Sequence, residues 1–161
     1  MSTKLRPFIS AYLKDVQAVD EVCNHLHPST EEVFFKRGAF LIQEGRRHPY
    51  LYVVLKEAIR SLYTKDAKEV NTWFGFEGDL IGSIYWFRNE PSVENMQAMK
   101  DCWTMRFPYR MLSFSSRISN PLVHFSFLLL EEYALFLETR MQGVLHLSAL
   151  QRYHFMRKEE S

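Results

Sequence analysis

The feature that most restricts the fold is the punctuation between Val33 and Phe107. Turn-forming residues interrupt this stretch about every eight to twelve positions, too often for helices and at the spacing of a compact all-β unit. Lys36-Arg37-Gly38, Glu44-Gly45, Lys65-Asp66, Glu77-Gly78-Asp79, Asn89-Glu90-Pro91 and Lys100-Asp101 separate runs such as Ala39-Phe40-Leu41-Ile42, Tyr50-Leu51-Tyr52-Val53-Val54 and Cys102-Trp103-Thr104-Met105. Gly, Asp and Asn relieve the backbone at the corners, while β-branched and aromatic side chains suit the pleated runs between them. About eight strands are predicted.

Helical periodicity flanks this unit. Phe8 to His25 reads as one amphipathic helix, with Leu13, Val16, Val19 and Val22 at helical spacing, and His27-Pro28 ends it because a residue before proline disfavours the helical region. Beyond Pro108, Tyr109 to Phe114 reads as a short helix. Pro121 behind Asn120 then opens a long one, since a first-turn proline forfeits no helical hydrogen bond. Two apolar rows run along it: Phe127, Leu130, Ala134, Leu137, Met141 and Val144, and separately Leu122, Phe125, Leu129, Tyr133 and Phe136, resuming at Leu147 and Leu150. A helix with two apolar faces needs two covers. Its own strands supply one, and a symmetry-related helix in a parallel two-fold pair supplies the other, which makes the Phe127 to Val144 row the expected homodimer seam. One broad core face is the alternative. The expected organisation is a single α+β domain over 1–161, with a helical segment at 1–32, strands at 33–107, and a short helix plus the long helix at 108–161.

Composition removes several function classes. Lys and Arg number 20 against 19 Asp and Glu, a net charge of +1, so no global positive field draws the chain onto phosphate backbones or anionic lipid. The only cysteines, Cys23 and Cys102, lie far apart outside any C-x-x-C spacing, which indicates neither a disulfide framework nor a zinc knuckle. The N-terminal residues interleave Lys4, Arg6, Lys14 and Asp15 with apolar ones, unlike a secretory signal. The most apolar stretch, Leu122 to Leu137, is short for a bilayer and carries Glu131 and Glu132. The expectation is a cytoplasmic protein with no membrane partner.

The order helix, strands, short helix, long helix resembles the cyclic-nucleotide-binding domain, and local segments carry the likeness. Glu77-Gly78-Asp79-Leu80-Ile81-Gly82 resembles the G-D-x-I-G step into the phosphate-binding cassette of the Crp/Fnr superfamily of bacterial transcription regulators. Phe40-Leu41-Ile42-Gln43-Glu44-Gly45 and Leu51-Tyr52-Val53-Val54-Leu55-Lys56 look like its roll strands, and Ser148-Ala149-Leu150-Gln151-Arg152-Tyr153 looks like the end of its dimerisation helix. The resemblance implies an antiparallel β-roll, a double-stranded β-helix of jelly-roll type, with an N-terminal helix and a long C-terminal dimerisation helix. It also implies a dimeric effector domain acting in transcriptional regulation, with a pocket between roll and long helix. The candidate lining is Gly82, Ser83, Tyr85, Arg88, Ser92, Glu94 and Tyr133.

Three departures from the family pattern matter. In relatives that bind cyclic nucleotides, a Glu after the position of Gly82 meets the ribose hydroxyl, and an Arg further on pairs with the cyclic phosphate; here Ser83 and Ser92 stand there, and Leu137 falls where a hydroxyl meets the purine. A serine cannot supply the charge-assisted bidentate contact that arginine gives a phosphate. Cyclic AMP is therefore not expected as a cofactor; Arg88 is the candidate displaced cation, and another small-molecule effector stays open. Glu57 replaces a glycine frequent at the strand turn, so that turn should differ. No helix-turn-helix follows the long helix before Ser161, so DNA is an expected partner only if a longer chain supplies one.

Other constellations carry less. Cys23, His25 and His27 have i, i+2, i+4 spacing, but only the outer two share a helix face, so they read as helix-end residues and no metal site is expected. A cupin-like metalloenzyme needs several histidines converging from strands, and His48 is the single histidine between Val33 and Phe107. With no G-x-S-x-G elbow either, no catalytic residue is assigned and a non-enzyme is expected. A ligand-free dimerisation or partner-docking module, its pocket collapsed onto side chains, is the alternative to a sensor; cavity volume separates them.

Overall fold

The structure is a computed structural model that describes residues 3–112 and 119–146, the side chains of Trp86 and of 143–146 excepted. Among these residues, eight strands form two four-stranded antiparallel sheets. In the first the order is β1 (Glu31–Phe35), β8 (Cys102–Pro108), β3 (Tyr50–Lys56), β6 (Leu80–Ile81); in the second it is β2 (Phe40–Ile42), β7 (Asn95–Ala98), β4 (Ile59–Lys65), β5 (Lys68–Gly75). β4 and β5 form a hairpin through Asp66 and Ala67, both at positive φ, as a two-residue turn of primed type demands. These strands are the β-roll expected from the sequence, beginning two residues earlier than Val33.

The first sheet is covered on both faces, which explains the continuous apolar run of β3. Leu51 and Val53 face the helices together with Met105 and Phe107, whereas Tyr52 and Val54 face the second sheet with Ile59, Ile81, Met96 and Ala98. Alternation with period two sends successive side chains to opposite sides, so a strand in a sandwiched sheet must be apolar at every position.

The N-terminal segment differs from its expected form. It is two helices, α1 (Leu5–Tyr12) and α2 (Val16–Leu26), separated at Leu13-Lys14-Asp15. Asp15 caps α2 by accepting from the Ala18 amide at 2.8 Å, which satisfies a first-turn donor. Val16, which looked like a core position, is 64% exposed. Of the expected short helix, Tyr109–Met111 form a 3₁₀ turn that ends at Leu112, and residues 113 and 114 lie outside the described residues. The Glu57 turn also corrects its expectation. Glu57 takes φ +72°, the left-handed conformation glycine favours, and is held by its amide bond to Glu77 Oε1 (3.3 Å) and its ion pair with Lys100 (3.4 Å).

The long helix α3 (Asn120–His146) lies across this body. Leu122, Phe125 and Leu129 are buried, and Phe125 meets Phe8 and Tyr12 edge-on at 6.0 and 5.7 Å between ring centroids. Tyr12 also donates to Glu132. Among the described residues no helix is long and apolar enough to cross a membrane.

Candidate functional site

The segment from Gly82 to Glu94 joins β6 to β7. Gly82 is required by close approach: a Cβ there would lie 2.3 Å from Tyr109 Oη and 2.4 Å from Leu51 Cδ2. The next residue, Ser83, is buried, and its carbonyl accepts the Tyr109 hydroxyl at 2.9 Å. A 3₁₀ turn, Ile84–Arg88, then sets Phe87 edge-on against Tyr109 at 5.1 Å. Ser92 is pinned to the turn after β2, its carbonyl accepting from Gly45 and its amide donating to Arg46 O (2.8 and 2.9 Å). The Ser92 hydroxyl donates to Glu94 O at 2.8 Å, so it is engaged within its own loop. Arg47, in the loop after β2, donates to Asn89 O at 2.7 Å and so helps hold this segment.

Glu94 turns its carboxylate into the roll. Its Oε2 accepts from Ser61 Oγ and, at 3.0 Å, from Trp73 Nε1; Oε1 takes no hydrogen bond among the described residues. From above, α3 brings Tyr133, Phe136 and Arg140. Phe136 packs edge-on against Trp73 at 5.6 Å, and Arg140 Nη2 donates to Thr72 O at 2.9 Å. Burial pushes the Arg140 guanidinium below its usual value, against the opposing pull of Glu94 and Tyr133. Burial, then Glu94, pushes the Tyr133 hydroxyl up.

Six of the seven expected lining residues, Gly82, Ser83, Tyr85, Ser92, Glu94 and Tyr133, come together around one pocket, which Leu137 also lines. Arg88 does not join them. Its side chain is 80% exposed and pairs with Glu90 at 3.5 Å, because the short 3₁₀ turn directs it to solvent. The cation of this pocket is Arg140, missed in the sequence because it is a charge in an apolar row. The signal was its spacing, four after Phe136 and seven after Tyr133, which puts all three on one helix face. Trp73 and Phe136 were missed as well. The space left is small: this pocket holds about 40 Å³, and two neighbouring cavities under α3 about 90 and 40 Å³. Small-molecule sites typically measure ~300–1,000 Å³.

The outward face of α3 carries the other row. Phe127 and Met141 are each 59% exposed and Leu137 42%; Ala134 is exposed, Leu130 is half-buried, and the Val144 side chain lies outside the described residues. Elsewhere His25 hydrogen-bonds the Met111 carbonyl at 3.0 Å, tying α2 to the 3₁₀ turn. Among the described residues no group of three metal-ligating side chains occurs.

A two-sheet roll whose β6–β7 segment forms a pocket beneath a long helix is the architecture of a cyclic nucleotide-binding fold. The chain belongs to the cyclic nucleotide-binding domain family, whose pattern matches residues 32–113. Solved structures agree on the fold. A cyclic nucleotide-binding domain from Methylobacillus flagellatus superposes with a TM-score of 0.74 at 13% identity, over 91% of this chain and 85% of that one. The N-terminal domain of a Streptomyces coelicolor transcriptional regulator gives 0.58 at 23%, over 90% and 97%. The Thermus thermophilus catabolite activator protein gives 0.61 at 15%, over 85% and 59%. The regulatory subunit of a cAMP-independent protein kinase A from Trypanosoma brucei gives 0.56 at 16%, over 98% of this chain, which spans about half, 52%, of that one. No curated protein matches the sequence.

Proposed function

We propose that this chain is a Crp/Fnr-type effector and dimerisation domain acting in transcriptional regulation, without enzymatic activity, whose cassette does not take a cyclic nucleotide phosphate. The observation that carries this reading is Glu94. Its carboxylate lines the same pocket as Ser83 and Ser92 and accepts from Ser61 and Trp73. An anionic phosphate brought to the cassette would meet this carboxylate beside Ser92, where relatives that bind cyclic nucleotides place an arginine, and the guanidinium lining the pocket, Arg140, comes from α3 and is bonded to Thr72 O; like charges in a partly dehydrated pocket repel strongly. The domain pairs through the outward row of α3, whose exposed Phe127, Leu137 and Met141 supply apolar area for a second copy. A structural neighbour described as the regulatory subunit of a cAMP-independent protein kinase A supports the view that this fold serves regulation without cyclic AMP.

Calorimetric titration with cyclic AMP and cyclic GMP tests the reading. No saturable heat is expected for either at concentrations up to about 1 mM, a Kd at which binding is worth only ~4 kcal/mol. Micromolar affinity for either nucleotide would overturn it. The second reading, a ligand-free docking module, is favoured by the cavity of about 40 Å³; it requires that no small molecule changes the stability of the folded chain.

A further inference from the structure

The pocket under α3 combines what a cation site needs. Trp73, Tyr85, Tyr133 and Phe136 line it together with Glu94. Aromatic ring faces carry negative potential and attract ammonium and guanidinium groups, more so when the site excludes water. Glu94 adds a carboxylate. Two donors fix its Oε2, while Oε1 has no hydrogen-bond partner among the described residues, so one oxygen remains available to a donor.

A cation already occupies this environment, and it belongs to the chain. The Arg140 guanidinium lies 5.5 Å from the Phe136 ring centroid and lines the same pocket as Glu94. Its fit is incomplete. Arginine offers five N–H donors, yet among the described residues the one hydrogen bond of Arg140 goes to the Thr72 carbonyl, and no ion pair joins it to a carboxylate. The Thr72 hydroxyl, one residue from Trp73, is buried without a partner. The site therefore presents ring faces and a carboxylate oxygen that its internal guanidinium does not hydrogen-bond.

We infer that this pocket is a binding site for a small organic cation, a guanidinium or alkylammonium compound, and that Arg140 is the internal stand-in such a ligand displaces. This rests on the reading that the cassette is not a phosphate site. A ligand cation that reaches Glu94 Oε1 and stacks on the rings makes contacts Arg140 does not. Displacing Arg140 breaks its bond to Thr72 and loosens α3 from the second sheet. A ligand shifts an equilibrium only by its differential affinity for the two states, and here that difference is the Glu94 contact.

The test uses the full chain with ethylguanidinium as probe. Arg140→Ala empties the stand-in position, so ethylguanidinium is expected to bind saturably by calorimetry and to raise the thermal midpoint. Wild type is expected to bind at least tenfold more weakly, because Arg140 competes. Adding Glu94→Gln to Arg140→Ala is expected to cost a further tenfold or more. If Arg140→Ala does not fold, Arg140→Met retains the apolar stem and serves in its place. Folded Arg140 variants that give no saturable binding, or bind equally with Gln at position 94, overturn the cation site. Cyclic AMP is titrated in parallel: its binding to wild type would overturn the phosphate-free reading, whereas silence from both ligands overturns the cation inference alone.

Discussion

Gly82→Ala is the sharpest probe of how the cassette is built, because the glycine there is demanded by contact and not by a left-handed backbone. The added methyl would sit 2.3 Å from Tyr109 Oη and 2.4 Å from Leu51 Cδ2. Both neighbours are buried, at the junction of β3, β8 and α3, and Tyr109 Oη is held by its bond to Ser83 O. Relief requires moving the ring, the leucine or the cassette backbone. Overpacking of a well-packed core costs ~1–3 kcal/mol, and losing the buried hydroxyl bond adds ~0.5–1.5 kcal/mol. The expected destabilisation is therefore about 1.5–4.5 kcal/mol by these two contributions. Urea unfolding followed by circular dichroism reads it directly: with a denaturant dependence of ~2 kcal/mol per molar, the midpoint falls by about 1–2 M. Leu51→Ala in the same chain makes room for the methyl on one side, so the double variant should lose less than the sum of the two single losses, as touching residues do. A Gly82→Ala midpoint within about 0.3 M of wild type, where surface substitutions fall, would refute the contact argument.

Two further outcomes follow from the surface and the turns. Phe127→Glu with Met141→Glu, at two strongly exposed positions of α3, should leave the unfolding midpoint nearly unchanged while converting a micromolar dimer to monomer in sedimentation velocity, since it places like charges at the proposed seam; a wild-type monomer would remove the seam altogether. His48 accepts the Gln43 amide at Nε2 (2.9 Å), which requires that nitrogen unprotonated, and burial pushes its pKa below the ordinary 6.5. Because the unfolded chain then takes up this proton first, the His48 contribution is fully present above pH 6.5 and is lost as pH falls through the folded value. His48→Gln should flatten that part of the stability profile, and an unchanged acid slope would contradict the assignment.

Much of the architecture was legible because turn residues and strand composition are local signals. The eight strands follow the punctuation from Lys36 to Asp101, and the two rows of α3 separate as their spacing requires: Leu122, Phe125 and Leu129 inward, Phe127 and Met141 outward. The break between α1 and α2 was hidden because Leu13, Val16, Val19 and Val22 keep helical spacing across it, while a single capping residue, Asp15, decides where the second helix starts. Glu57 misled for a related reason. A frequent glycine was absent, yet the backbone kept the left-handed turn and tied it with Glu77 and Lys100. At the site, sequence proximity gave Arg88 and spatial proximity gave Arg140. A pocket closed by a distant helix takes its cation from whichever helix position faces it, and only the three-dimensional crossing of α3 over β5 reveals which.

That crossing also decides how a signal could leave the pocket. Tyr133, Phe136 and Arg140 point into the roll, whereas Phe127 and Met141 point away from it, and both rows belong to one uninterrupted helix. Leu137 belongs to both, lining the pocket and standing 42% exposed on the outward row. A helix of 27 residues moves largely as a rigid rod, so a displacement of about 1–2 Å at Arg140, of the size common at switching interfaces, reaches Leu137 and Met141 without any intermediate element. Among the described residues, the hydrogen bond and ring contact opposing such a shift on the second sheet are the Trp73–Phe136 pair and the Arg140–Thr72 bond. At the other end, the buried cluster of Leu122, Phe125 and Leu129 with α1 holds the helix far more firmly. Movement is therefore expected to be a swing about that N-terminal anchor, largest where the pocket and the outward row share Leu137. In the proposed dimer the same swing would change the angle between the two long helices.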